Sequence, residues 1–109
     1  MDKALMHHVD AEVRLLETGV DCDGQPVEAF AYLEDALDTQ LAINVTEGEP
    51  EFCGAELCVA WGGPGIWVDT QYHTVTGYWG GDKYERTFRD FIGLTQAAES
   101  KWGGTWRKR

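Results

Sequence analysis

Glu56-Leu57-Cys58-Val59-Ala60-Trp61-Gly62-Gly63-Pro64-Gly65-Ile66-Trp67-Val68-Asp69-Thr70-Gln71-Tyr72-His73-Thr74-Val75-Thr76-Gly77-Tyr78-Trp79 is the stretch that decides the fold. Its segments 56–61, 66–70 and 75–79 are rich in β-branched and aromatic side chains, a composition that suits a pleated surface. Between them stand Gly62-Gly63-Pro64-Gly65 and Gln71-Tyr72-His73-Thr74, and Gly80-Gly81-Asp82 closes the third. Short strands joined by short turns predict an antiparallel meander. Within 66–70, Ile66, Val68 and Thr70 point one way and Trp67 and Asp69 the other. A sheet covered on one face buries only alternate residues, so Trp67 is either an exposed anchor or part of a second small cluster.

Upstream of this stretch the period changes. Leu5, Met6, Val9, Val13 and Leu16 recur at helical spacing, predicting an amphipathic helix over 2–18 capped by Asp2 and ended by Gly19. A strand over 12–18 is the competing reading. Residues 20–26, with Asp23-Gly24 and Pro26, read as a loop. A second helix over 26–38 is expected, with Pro26 in its first turn and Val27, Phe30, Leu33 and Leu37 as its buried stripe. The two helices form a helical hairpin. Residues 40–46 alternate and predict a strand. Glu47-Gly48-Glu49-Pro50-Glu51 reads as an irregular acidic loop. Downstream, 84–91 offers a further short strand. Thr95 is placed as the N-cap of a last helix, 96–102, that Gly103-Gly104 stops. The expected architecture is α+β: an N-terminal helical hairpin (1–39) on a three- to five-stranded antiparallel meander (40–91), a short C-terminal helix (92–102) and a basic tail (103–109). All of it belongs to one domain, 1–109.

At 109 residues the chain can bury roughly two-thirds of its unfolded surface, enough for one core. Hydrophobic residues make up 43%, too many for a disordered polymer. No apolar run approaches the roughly 20 residues that span a bilayer, and no secretory leader is visible, so the expectation is a cytoplasmic protein. Cys22, Cys53 and Cys58 are odd in number and irregular in spacing, which predicts reduced thiols. Net charge is −10, and it is unevenly spread. Residues 1–64 carry 14 Asp and Glu against Lys3 and Arg14, and residues 65–109 carry 5 against 7 Lys and Arg. Such a first half repels nucleic acid and anionic membranes and attracts a basic groove on another protein.

The chemistry-bearing motifs are few. Cys53-x4-Cys58 lacks zinc spacing and a second pair, so no metal and no cofactor are expected. Cys58 in mid-strand and His73 in a turn do not make a nucleophile and base. Gly62-Gly63-Pro64-Gly65 leads into a strand, whereas a phosphate loop leads into a helix. No catalytic residue is expected. Trp61, Trp67, Tyr72, Tyr78 and Trp79 could stack nucleic-acid bases only among cations, and 56–82 has no Lys or Arg; direct nucleic-acid binding is not expected. The plain alternative for the carboxylates is solubility.

The segment 56–68 resembles a strand-turn-strand motif of small acidic proteins of phages and other mobile elements. That motif runs from a Leu-Cys strand through Gly-Gly-Pro into a hairpin, a Trp-containing strand and a Leu-Thr that opens the last helix. Leu57-Cys58, Gly62-Gly63-Pro64, Gly77-Tyr78-Trp79 and Leu94-Thr95 carry the likeness, which covers about 40–102. It is a scaffold motif and transfers no catalytic residue. The setting implies an anti-CRISPR-like or anti-restriction inhibitor, several of which resemble DNA in surface charge. Its partner would be a host nucleic-acid-binding complex, a CRISPR effector or a restriction enzyme. The expected contacts are Asp21, Asp23, Glu34, Asp35, Asp38, Glu47, Glu49, Glu51 and Trp67. The tail Arg107-Lys108-Arg109 departs from an all-over DNA mimic and points to one acidic face. From a different class, a regulatory module that pairs through its aromatic meander, in the simplest case as a homodimer, stands beside this reading.

Overall fold

A computed structural model describes residues 2–106. Helix α1 (Lys3–Thr18) forms as its apolar stripe predicts. The Asp2 carboxylate accepts from the backbone N–H of Ala4 and Leu5, and Gly19 ends the helix with its N–H on the Leu15 carbonyl. Leu5, Val9, Val13 and Leu16 are buried. Helix α2 (Ala29–Glu34), strands β1 (Asp38–Thr46), β2 (Glu49–Ala60), β3 (Gly65–Asp69), β4 (Thr74–Trp79) and β5 (Asp82–Thr87), and helix α3 (Leu94–Trp102) follow, with a 3₁₀ turn at Gly103–Trp106. The strands form one antiparallel meander in the order β1-β2-β3-β4-β5, so the α+β architecture stands.

Four local expectations are corrected. The second helix spans six residues, because Pro26 instead pairs with Val20 in an isolated bridge and the Glu28 side chain caps the helix on Ala31 N–H. Of its expected stripe only Leu33 is buried; Phe30 and Leu37 are 43% and 65% exposed. This short α2 packs chiefly beside α3, and the Tyr32–Glu12 hydrogen bond links it to α1, so no full helical hairpin forms. The acidic segment 47–51 is no irregular loop. Glu47 (φ 53°) and Gly48 (φ 79°) make a tight hairpin turn of the type whose two central residues both need positive φ. Glu49, Pro50 and Glu51 already belong to β2, with Pro50 beside Val45. Thr95 does not cap α3. Asp90 does, accepting from Leu94 and Thr95 N–H through its two oxygens. Finally, β5 starts two residues earlier than expected and ends at Thr87, and residues 103–106 continue as a 3₁₀ turn rather than a tail. The basic residues 107–109 lie outside the described residues.

All the helices lie on one face of the sheet. Ala55, Leu57, Ile66, Val68 and Val75 point into a core shared with Leu5, Val9, Val13 and Leu16 of α1 and with Leu94, Ala97 and Ala98 of α3. The closest approach is at Gly77 of β4. A Cβ there would stand 2.6 Å from both Leu5 Cδ1 and Val9 Cγ2. At the rim, Tyr84 and Arg86 of β5 reach Asp10 of α1, Arg86 Nη1 at 3.0 Å. The β1–β2 hairpin runs past β3, since β3 pairs only with 56–60 of β2. A register shift between Ala42 and Ile43 leaves Cys53 as the extra residue, and beyond it Phe52 rests against Trp102, ring centroids 6.4 Å apart.

Gly77→Ala tests the contact between α1 and the sheet. Overpacking a filled core costs about 1–3 kcal/mol. Denaturant unfolding of this variant is expected to show a lower midpoint by that amount with an unchanged slope. Wild-type stability would show that α1 does not press on β4 there.

Candidate functional site

Among the described residues no helix lies on the opposite face of the sheet. Strand alternation and the register assign its residues. Cross-strand neighbours on this face run Asp38–Cys58–Trp67–Thr76–Glu85, Gln40–Glu56–Asp69–Thr74–Thr87 and Gly65–Tyr78–Lys83. Along the protruding hairpin, Glu51 opposite Asn44 and Glu49 opposite Thr46 stand on the same side. Among the described residues the uncovered face therefore bears six carboxylates, those of Asp38, Glu49, Glu51, Glu56, Asp69 and Glu85, against one cation, Lys83. Its middle is a shallow concavity of about 530 Å³ whose lining includes Gln40, Glu56, Trp67, Asp69, Tyr72, Tyr78 and Glu85.

Aromatic rings share this face. Trp67 is half-buried in mid-strand between Cys58 and Thr76. Trp61, 74% exposed, lies back over Gly65, its ring 3.5 Å from where a Cβ would be. Tyr78 is exposed beside them, and Leu37 and Trp61 flank Cys58 and Trp67 in a smaller hollow. That cover is why Cys58 is only 3% accessible; its thiol faces the Ala60 carbonyl at 3.4 Å. It packs as a small apolar side chain, as the sequence suggests.

Two of the carboxylates on this face, Asp69 and Glu85, are held in place. Asp69 Oδ1 accepts from the N–H groups of Gln71 and Tyr72, forming the turn after β3. Glu85 Oε1 accepts from the Thr76 hydroxyl at 2.7 Å. Glu56 and Asp69 are direct cross-strand partners, a like-charge apposition that costs stability. Among the described residues no salt bridge answers either of them.

The sequence-predicted residues separate into groups. Asp38, Glu49, Glu51 and Trp67 share the uncovered face, and Glu47 sits at the hairpin tip beyond it. Along β1, eight steps of about 3.3 Å put Asp38 about 26 Å from Thr46 and the tip. Asp21, Asp23, Glu34 and Asp35 lie elsewhere, around α2. Asp21 Oδ1 accepts from Asp23 and Gln25 N–H in a side-chain turn, and Glu34 comes within 4.0 Å of Lys101. Sequence reasoning missed Glu56, Asp69 and Glu85 as site residues. Asp69 was legible by alternation with Trp67, but Glu56 and Glu85 join it only through the strand register.

Two other clusters decide what chemistry is present. Thr95 Oγ1 donates to the Thr70 carbonyl at 2.7 Å, so the 2.6 Å contact with His73 Nε2 has the imidazole N–H as donor. Asp90 stands 3.9 Å from the same nitrogen. In this arrangement His73 cannot take a proton from Thr95, and the group works as a clasp between the β3–β4 turn and α3. Among the described residues no group of three or more His, Cys, Asp or Glu is placed to hold a metal ion. No helix is long and apolar enough to cross a membrane.

The second cluster is Glu12 with Tyr32, in a cleft of about 360 Å³ between α1, the 20–28 loop and α2 that Asp21, Glu28 and Asp35 also line. The Tyr32 hydroxyl donates to Glu12 Oε2 at 2.5 Å. Burial pushes the Glu12 carboxyl up, and the Tyr32 hydrogen bond offsets only part of that. Burial and the neighbouring Glu12 charge hold the Tyr32 phenol well above its usual range, so it stays a neutral donor. A carboxyl raised on folding binds more protons folded than unfolded. Its contribution is therefore full below the unfolded glutamate range and lost as pH rises through the folded value. Glu12→Gln keeps an acceptor for Tyr32 and removes the buried charge. Wild-type stability minus that of the variant is expected to fall as pH rises from 4 to 7 in denaturant titrations. A flat difference would show that Glu12 ionises as freely folded as unfolded.

Compared with known proteins, the chain matches no family model, no curated protein and no solved structure.

Proposed function

We propose that this chain is a non-enzymatic inhibitor that binds the basic nucleic-acid groove of a host defence complex and keeps DNA out of it. The observation that carries this reading is the uncovered sheet face, six carboxylates beside exposed aromatic rings with, among the described residues, Lys83 as its one cation. Carboxylates facing Lys and Arg speed encounter and exclude phosphate, and aromatic anchors slow release. A CRISPR effector or a restriction enzyme, each built around a basic DNA channel, is the partner class, and the host cytoplasm is where the two would meet. The likeness of 56–68 and 94–95 to phage and mobile-element proteins supports the same direction. The test is capture on the immobilised chain from cells making CRISPR or restriction complexes, followed by DNA-binding assays on the captured complex. The expected result is a complex that no longer binds DNA and that leaves the chain as salt is raised, because screening weakens surface electrostatics. Absence of any nucleic-acid enzyme at low salt, or a captured complex with unimpaired DNA binding, overturns the reading.

A second reading is a module that pairs with its own copy through the aromatic end of the same face. It is favoured by Leu37 and Trp61, large apolar groups left 65% and 74% exposed. Sedimentation at micromolar concentration separates the two. The pairing module is expected to run as a dimer, and a strict monomer removes it.

A further inference from the structure

We infer that the uncovered face is a reader of arginine, and that its occupant is an arginine-bearing segment of the partner; this rests on the reading of the chain as a binder of basic surfaces. Two features of one face coincide. The first is a platform of Trp67, Trp61 and Tyr78, rings that none of the described residues covers completely. The second is the Glu56–Asp69 pair. Asp69 lies two residues along β3 from Trp67, about 7 Å away, and Glu56 stands directly across from Asp69 on β2, one strand spacing of about 4.8 Å. A cation laid on the Trp67 ring therefore has two carboxylates within reach of its polar end.

That combination distinguishes the two basic side chains. A guanidinium is planar and weakly hydrated, so it stacks flat on an aromatic face while its N–H fork reaches carboxylates edge-on. An ammonium is a compact, strongly hydrated point charge that loses more on leaving water. The cost of setting Glu56 against Asp69 is relieved when a fork of donors bridges them. A nucleic acid would bring phosphate to the same carboxylates and be repelled. A neutral ligand would use the rings and leave the charge apposition unanswered.

The test uses the full chain with two probes of equal charge, a tetra-arginine and a tetra-lysine peptide, read by tryptophan fluorescence and calorimetry across a salt series. Tetra-arginine is expected to bind about tenfold more tightly, with an affinity that falls as salt rises. Glu56→Gln with Asp69→Asn, and separately Trp67→Leu, are expected to lower its affinity about tenfold, while Trp67→Phe restores most of it. Asp69→Asn keeps the side-chain oxygen that accepts from Gln71 and Tyr72, so the turn survives, and thermal melts of each variant confirm the fold. The control is Glu47→Gln/Glu49→Gln/Glu51→Gln, expected to lose no more than about threefold through weaker long-range attraction. Equal affinity for the two peptides, salt-independent binding, or a loss confined to the triple hairpin variant overturns the arginine assignment. None of these outcomes touches the inhibitor reading, which fails if no nucleic-acid enzyme is captured at low salt or if the captured complexes keep their DNA binding.

Discussion

The packing of α1 onto β4 at Gly77 is the constraint on which the rest depends. Leu5 and Val9 come so close to the strand that no side chain fits between them. This seats one helix face across β4 and β5, and α3 covers the sheet nearer β2. With both long helices on one side, the apolar residues of alternate strand positions are accounted for, and the other alternate positions lie on the uncovered face, where Cys58, Gly65 and Thr76 are buried by their neighbours. Fully burying each Leu or Val side chain contributes about 1.5–3 kcal/mol. Stability therefore resides on the helix side, and the uncovered side is left free to carry chemistry that does not favour folding.

That division explains the character of the bare face. A sheet exposed on one side ordinarily alternates apolar and polar residues, with mixed charges for solubility. Here the charged positions are nearly all of one sign among the described residues, and two carboxylates stand directly opposite each other. Thr76 and Asp69 compensate locally through hydrogen bonds to Glu85 and to the turn after β3. Those bonds orient carboxylate oxygens without neutralising them. The result at these two positions is an oriented negative charge on a strand, which differs physically from a solvated acidic loop.

The fold was largely legible in the sequence and the site only partly. Helix α1, its caps and the three central strands follow from periodicity and turn chemistry, because those signals are local. Helix α2 was overextended because Phe30 and Leu37 carry a helical spacing that the chain does not bury; the bridge between Val20 and Pro26 takes the first turn away. The segment 47–51 was misread since Gly and Pro signal irregularity, yet Gly48 and Glu47 supply the two positive φ angles of a hairpin and Pro50 is tolerated in a strand near its edge. The acidic bias was plain from charge counting, but counting selects residues by sequence neighbourhood. Register decides which of them meet. It joins Asp38 and Glu51 to Glu56, Asp69 and Glu85, and it leaves Asp21, Asp23, Glu34 and Asp35 around α2.

The same register bears on self-association. The aromatic end of the face is apolar enough to pair with a copy of itself, and Leu37, Trp61 and Tyr78 would form the middle of such a contact. A two-fold pairing sets the same patch against itself, so a patch of nearly one sign meets its own sign. Two copies stacked face to face would bring the six carboxylates of one against those of the other, with only Lys83 among the described residues of that face to answer them. Each chain carries −10 overall, so the long-range field opposes the encounter as well. On the proposed reading, like-charge repulsion works against the copy and the same carboxylates favour a basic partner, so charge opposes what the exposed rings alone would allow.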